Sequence, residues 1–393
     1  MTPARTVLVA GHICLDIIPD VSDIDPVIFN ANFRPGHLLE AGAAALSTGG
    51  PVSNTGLALH RLGVPVRLCA KIGDDGFGYV IECIVKAIEL DLLSGMQLDP
   101  QATTAFTIII SPPHVDRLFL HCPGANHDFG SADVSDVQLT QADLLHFGYP
   151  PLMRRIYAHD GRELVDLLCR ARAAGLTTSL DMSYPDPHSE AGHLDWPAFF
   201  RSVLPHVDVF APSLEELLFT LRRTTLDELS ARGSVIDQAT PELLHDLSDE
   251  LISMCVKIVL IKLGACGAYL RTAKVNAIDQ LGRAAPTDRA AWANRELWVP
   301  CFDVEVVGTT GSGDATIAGF LSALLRAASP EEAMTMAVAV GACNLEAADA
   351  LGGVRSWEAT QQRVARGWPR LPVELNAPGW VYDEQCELWR HDA

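Results

Sequence analysis

Apolar and polar positions along the chain follow two alternating rhythms. Short runs rich in aliphatic and β-branched residues recur as TVLVAG (6–11), VRLCAKIG (66–73), TTSLD (177–181), VDVFA (207–211) and VKIVLIKLG (256–264). Between them lie segments whose apolar residues return at helical spacing, among them DGFGYVIECIVKAIEL (75–90) and DGRELVDLLCRARAAGL (160–176). Strand then helix, repeated, predicts an α/β fold with a mostly parallel sheet covered by helices on both faces. Two segments break the rhythm, at about 17–47 and at 103–126. The second, TTAFTIIISPPHVDRLFLHCPGAN, alternates and turns at SPPHVD like an antiparallel pair. Together they predict a small β-sheet that projects from the main body as a lid. Residues 273–297 read as a loop-rich peripheral insertion, and about 357–393 as a C-terminal extension packed on the surface of a single domain spanning 1–393.

Composition narrows the ligand. With 393 residues, 48% of them hydrophobic, the chain can bury the core of one large domain. Its 49 acidic residues against 29 Lys and Arg give a net charge of −20, which argues against nucleic-acid backbones and acidic membranes as partners. A small ligand is the better expectation. The ten cysteines include no C-x-x-C pair, and MTPARTVLVAGH lacks the apolar core of a signal peptide, so reduced thiols and a cytoplasmic location are expected. No apolar run approaches the length of a membrane span.

The candidate chemistry sits in VVGTTGSGDATIAGF (306–320), where Gly308, Gly311 and Gly313 precede Asp314 and an apolar helix. Ile317, Phe320, Leu321, Leu324 and Leu325 fall on one face of that helix. Glycines bring the backbone close to a ligand, and the first helical turn offers N–H groups with no internal acceptor, so the segment predicts an anion cradle. An Asp at a helix start is commonly a cap, but three glycines and two threonines just before it exceed what a cap needs. The pattern is neither G-x-x-x-x-G-K-[ST] nor G-x-G-x-x-G, because no Gly-Lys pair exists and Thr316 takes the third glycine's place. With phosphate on the amides, Asp314 suits a hydroxyl about to lose its proton, as general base beside the Gly311, Ser312 and Gly313 amides.

At this point the residues carry a resemblance. GTTGSGD (308–314) resembles the D-T-x-G-A-G-D signature of the ribokinase-like, or PfkB, sugar and nucleoside kinases. Further segments resemble that family's landmarks in order: VLVAGHICLD, GGPVSNTGLALHRLG (49–63), KIGDDGFG (71–78), CPGANHDF, APSLEEL (211–217), IKLGACGAYL (261–270) and ACNLEAADALGG (342–353). The resemblance runs from about residue 6 to about 356. It implies a Rossmann-like three-layer α/β/α fold with a small β-sheet lid, and transfer of the γ-phosphoryl group of Mg-ATP to a hydroxyl of a sugar or sugar-like acceptor.

Residue by residue, it implies acceptor contacts at Gly11, Asp16, Gly49, Gly50, Asn54 and Asn126. It implies nucleotide contacts at Lys262, Gly264, Gly267, Thr309 and Asn344, a water-mediated role for Glu216 at Mg2+, and a homodimer through the lid. KIGDDGFG takes a structural role, with Asp74 or Asp75 as a helix cap.

The chain also departs from the pattern. Gly308 replaces the signature's leading Asp, which in cation-activated relatives helps form an ion site, and Ser312 replaces its Ala. Cys14 stands where ribokinase-type members have Asn, and LLHFGYP offers no carboxylate where ribokinase has one. Ser183 replaces the Asn of a D-x-N-x-R stretch whose Arg is also missing, leaving Asp181 in a supporting role at a strand end. These changes disfavour a strict ribokinase preference and leave another sugar, a polyol or a nucleoside as acceptor. A non-catalytic sugar- or nucleotide-binding regulator on the same fold is the other reading, against which the retained Asp314 speaks. An NAD-linked oxidoreductase is disfavoured because no dinucleotide fingerprint follows the first strand.

Overall fold

A computed structural model describes residues 5–112 and 118–391. Fifteen strands run in chain order: β1 Val7–Gly11, β2 Cys14–Ile18, β3 Ala45–Gly49, β4 Val66–Gly73, β5 Gly95–Asp99, β6 Phe106–Ile110, β7 Leu118–Cys122 and β8 Leu144–Gly148 come first. β9 Thr177–Leu180, β10 Val209–Phe210, β11 Ile258–Lys262, β12 Ala268–Thr272, β13 Glu296–Val299, β14 Trp380–Asp383 and β15 Leu388–His391 follow. Eleven of them form one sheet in the order β14-β15-β13-β12-β11-β10-β9-β8-β1-β4-β5. From β5 to β11 neighbouring strands are parallel, and from β11 to β14 they are antiparallel.

Why the parallel strands read as continuous apolar runs is visible in β1. Val7 and Val9 enter the core on one face of the sheet while Leu8 and Ala10 enter the core on the other, all four fully buried. A strand with helices on both sides has no solvent face, so alternation disappears from its sequence. Helices Pro51–Arg61, Gly76–Ile88, Ser312–Leu325 and Pro330–Leu345 cover the first face; Arg154–Ala173, Trp196–Val203, Leu214–Leu221 and Pro241–Ser253 cover the second. The expected three-layer α/β/α arrangement is present.

A second sheet, β3-β2-β6-β7, contains the segments read as a lid. β6 and β7 pair antiparallel, from Phe106 opposite Cys122 to Ile110 opposite Leu118. Their expected turn, SPPHVD, falls mostly outside the described residues. Asp75 caps helix Gly76–Ile88 by accepting from Gly78 N and also accepts from Thr104 N and Oγ1, which ties the entry of the lid to the body.

Two segments sit deeper than their composition suggested. Residues 273–295 connect β12 to β13 and are not a peripheral flap: Trp292 is fully buried against Phe320 and donates from Nε1 to Ala328 O, and Ile278, Leu281 and Ala284 join the same core. The C-terminal stretch is more than a surface extension. Its last two strands add to the antiparallel edge of the sheet, where β15 pairs with β13. Small and charged residues dominate 273–295 and hide its few buried anchors, while the C-terminal stretch, rich in Trp and Pro, gives no clear strand signal.

Candidate active site

Five adjacent parallel strands, β1, β8, β9, β10 and β11, end on one rim of the sheet, and each delivers a polar residue there. His12 follows β1, Tyr149 follows β8, Asp181 follows β9, Ser213 follows β10, and Lys262 closes β11. Carboxyl ends of parallel strands are where open α/β sheets bind ligands, because the loops there diverge to leave a crevice. A cleft of about 600 Å³ occupies this rim. Of the residues singled out above, Asp314, Gly311, Ser312, Gly313, Lys262, Gly264, Gly267, Thr309 and Glu216 line it.

The far wall is the start of helix Ser312–Leu325. Its N-cap is Gly311 at φ 72°, ψ 1°, and no side chain caps it. A Cβ at Gly311 would fall 2.7 Å from Ala350 Cβ and 2.8 Å from Ala350 O, so both the left-handed backbone and the close loop demand glycine. Ala315 N already bonds Gly311 O at 2.8 Å, whereas Ser312 N has only a 3.4 Å contact to Thr309 O. The amides of 312–314 belong to the first turn, where an α-helix supplies no acceptor of its own and the positive end of its dipole lies, and their residues line the cleft.

Asp314 does not cap this helix; its carboxylate turns inward. Oδ2 accepts from Asn54 Nδ2 at 3.0 Å and from Tyr149 OH at 2.9 Å, and Oδ1 accepts from Thr55 Oγ1 at 3.1 Å. Burial raises its pKa above the usual carboxylate range, opposed by the pull of Lys262 and by the bonds from Asn54, Tyr149 and Thr55. Three donors thus hold a buried carboxylate in one orientation at the head of the amide cradle.

Lys262 stands beside that cradle. Its Nζ bonds Asp181 Oδ1 at 2.7 Å and would lie 3.7 Å from a Cβ placed on Gly313. Burial works against its charge, but Asp181, Glu216 and Asp314 outweigh it and keep the ammonium protonated. One ammonium among three carboxylates leaves the rim short of positive charge, a deficit that a ligand bringing its own cation would make good. Glu216 meanwhile caps helix Leu214–Leu221, its Oε2 accepting from Ser213 N at 2.7 Å. Among the described residues no three His, Cys, Asp or Glu side chains are grouped to hold a metal ion by themselves.

Away from Gly311–Asp314 the cleft is apolar, lined by Phe302, Val304, Val338 and Leu345, and closed by Leu371 from the C-terminal stretch. Leu371 N donates to Cys301 O, and Trp368 stacks on Phe302 with ring centroids 4.4 Å apart. The stretch that looked like an accessory therefore supplies one wall. We expect Leu371→Asp to raise the KM for the nucleotide about tenfold and leave the acceptor KM unchanged; equal KM values in steady-state kinetics would contradict this role.

The residues expected to meet the acceptor gather around two glycines. A Cβ at Gly49 would lie 2.3 Å from Asp16 Oδ2, and one at Gly50 would lie 2.5 Å from His12 Nδ1, so both side chains lean over bare backbone. Gly50 starts helix Pro51–Arg61, which carries Asn54 and Thr55 to Asp314 and so links this group to that carboxylate. Gly11 packs on Gly148 O at the end of β1. Asn126 behaves differently from expectation: its amide is taken up by Ile13 N, Ile13 O and Pro123 O, so it clips the returning lid strand to the body. Asn344 is also structural in its visible contact, donating to Thr310 O and steadying the turn before the cradle. A Cβ at Gly308 would meet Ala347 O at 2.7 Å, so an acid there has no room beside the 347–348 loop.

Asp16 illustrates the cost of this arrangement. Burial pushes its carboxyl up to about 6, against the lowering effect of bonds from Cys14 and Thr107. With the folded pKa above the unfolded one, the folded state keeps a proton that the unfolded chain has lost between about pH 4 and 6. Stability therefore falls as the pH rises through that window, by up to about 3 kcal/mol. Asp16→Asn is expected to raise Tm at pH 7.5 while abolishing acceptor-dependent turnover; a lower Tm would contradict the burial argument.

Sequence reasoning missed Tyr149, Thr55 and His12. Tyr149 had a signal of sorts, since it directly follows a β-strand on the ligand-bearing rim, yet nothing in HFGYPP announces a left-handed residue whose hydroxyl reaches 165 positions along the chain.

A parallel-centred sheet, a β lid and a glycine-capped helix with an inward aspartate together define the ribokinase-like class of folds. The chain belongs to the pfkB family of carbohydrate kinases, whose family model matches residues 4–355. The ATP-dependent ribose-1-phosphate kinase of Halopiger xanaduensis is 25% identical over 336 residues, covering 86% of this chain and 90% of the relative. Fructokinase-1 of Zea mays is 25% identical over 332 residues, covering 83% and 85%. Among solved structures, fructokinase with bound ATP from Xylella fastidiosa superposes with a TM-score of 0.67 at 20% identity, over 92% of this chain and 98% of the other. No described helix is long and apolar enough to cross a membrane.

Proposed function

We propose that the protein transfers the γ-phosphoryl group of ATP to a hydroxyl of a sugar or sugar-like acceptor, with Asp314 as general base. The observation that carries this reading is the position of Asp314: buried, oriented by three donors, and lining the cleft at the first turn of a glycine-capped helix. The acceptor O–H gives its proton to the Asp314 carboxylate as the new O–P bond forms. The bond from γ-phosphorus to the bridging oxygen breaks, and ADP leaves. Charge developing on the transferring group is met by the amides of 311–313 and the Lys262 ammonium.

Nucleotide placement follows from the two ends of the cleft: phosphates on the amide cradle, base against Phe302, Val338 and Leu371. ATP bound to the Xylella fastidiosa fructokinase supports that choice of nucleotide. Magnesium fits the surplus of carboxylate around Lys262, with Glu216 the chain's contribution through water, and it would arrive with the triphosphate. Bound there, it would offset phosphate charge that this chain's few cations leave unmet.

A coupled assay of ADP release over hexoses, pentoses, polyols and nucleosides tests the reading. An acceptor that raises ADP release above background supports it, whereas thermal shifts with ATP and sugars but no turnover would favour a non-catalytic binding protein.

A further inference from the structure

His12 is a polar group at the acceptor side of the site that the mechanism leaves unexplained. Its side chain is 1% exposed, and neither Nδ1 nor Nε2 has a hydrogen-bond partner among the described residues. A neutral imidazole carries one N–H and one lone pair, and buried polar atoms left unpaired are rare enough to require an occupant or a reason. Asn54 repeats the pattern: Nδ2 is spent on Asp314, while Oδ1 is buried and unpaired.

The two lie on the acceptor side of the base. His12 Nδ1 leans over Gly50, next to Gly49 under the Asp16 carboxylate, and Gly50 begins the helix that carries Asn54. The His12 ring is 5.2 Å from His121 of the lid strand β7 and 6.2 Å from Tyr149, whose hydroxyl rests on Asp314. Backbone without side chains, two unpaired buried polar groups and the base therefore adjoin one another.

We propose that His12 is a specificity-determining residue that reads hydroxyls of the phosphoryl acceptor, donating to one and accepting from another, and that this acceptor is an uncharged polyol or sugar. The proposal rests on the kinase reading above. Burial, reinforced by His121 and His127, holds the His12 ring neutral, so both of its hydrogen-bonding modes are available. An anionic acceptor would find the Asp16 carboxylate at the same glycines, and the guanidinium of Arg154 acts on His127 rather than on His12.

The test uses the full chain as wild type, His12→Phe, which keeps a ring without its hydrogen bonds, and His12→Gln, which restores a donor and an acceptor. Acceptors are assayed beside their single-deoxy analogues and their monophosphates. His12→Phe is expected to raise the acceptor KM at least tenfold, to leave the ATP KM within about twofold, and to shrink discrimination against one deoxy analogue. His12→Gln should recover part of both. A loss of packing alone would not select one deoxy position, and an ATP-induced thermal shift equal to wild type reports that the variants are folded. Unchanged acceptor KM and discrimination in His12→Phe, or a sugar monophosphate as the preferred acceptor, overturns the proposal. If wild type turns over no acceptor, the kinase reading fails separately; sugar-induced thermal shifts then decide the role of His12, supported by a shift lost in His12→Phe and overturned by a shift that persists or by none in wild type.

Discussion

Asp314→Asn is expected to lower kcat about 10³-fold while the KM for ATP changes less than threefold. The substitution keeps the shape of the side chain and can still accept from Asn54, Thr55 or Tyr149, so what it removes is the capacity to take a proton. In the wild type, kcat/KM should decline as the pH falls through the Asp314 pKa. Burial sets that pKa above the ordinary carboxylate range, so the decline should come at higher pH than for an exposed aspartate. Steady-state kinetics from pH 5 to 8 check both statements. A variant within tenfold of wild type, or a flat profile, would remove Asp314 from the chemistry.

The second large effect is expected at Lys262. Lys262→Met should destabilise the fold by about 3 kcal/mol, because buried Asp181, whose carboxyl burial already pushes up to about 8, loses the partner that Lys262 Nζ provides at 2.7 Å. It should also lower kcat about 10²-fold by removing the one ammonium beside the amide cradle. The double variant Lys262→Met, Asp181→Asn separates the two roles. With a neutral amide in place of the unpartnered acid, urea midpoints should return most of the way to wild type while kcat stays low. Recovery of activity together with stability would make Lys262 a purely structural partner of Asp181.

Much of this site could be read from the chain because its logic is local. Gly311, Ser312, Gly313 and Asp314 are consecutive, and a glycine-rich turn running into an apolar helix has few other uses. The parallel sheet was legible for a similar reason, since strands such as Val7–Gly11 are buried on both faces and show it as unbroken apolar runs. Long-range pairing was not legible. Asn54, Thr55 and Tyr149 converge on Asp314 from 260, 259 and 165 positions away, and no spacing rule reports such convergence. Asn126 stayed open for the converse reason: its place after the lid strand is shared by a ligand contact and by a clip, and the bonds to Ile13 and Pro123 favour the clip. Trp292 was hidden in a stretch whose small and charged residues outweigh a single buried anchor, and half-buried Leu371 in one rich in Trp and Pro.

Phosphorus NMR of parallel reactions containing ATP, magnesium and the preferred acceptor tests the central claim most directly. Wild type should show a new phosphomonoester growing in step with ADP, and Asp314→Asn should show neither over the same interval. A phosphomonoester formed at the same rate by both, or only inorganic phosphate from wild type, would contradict it.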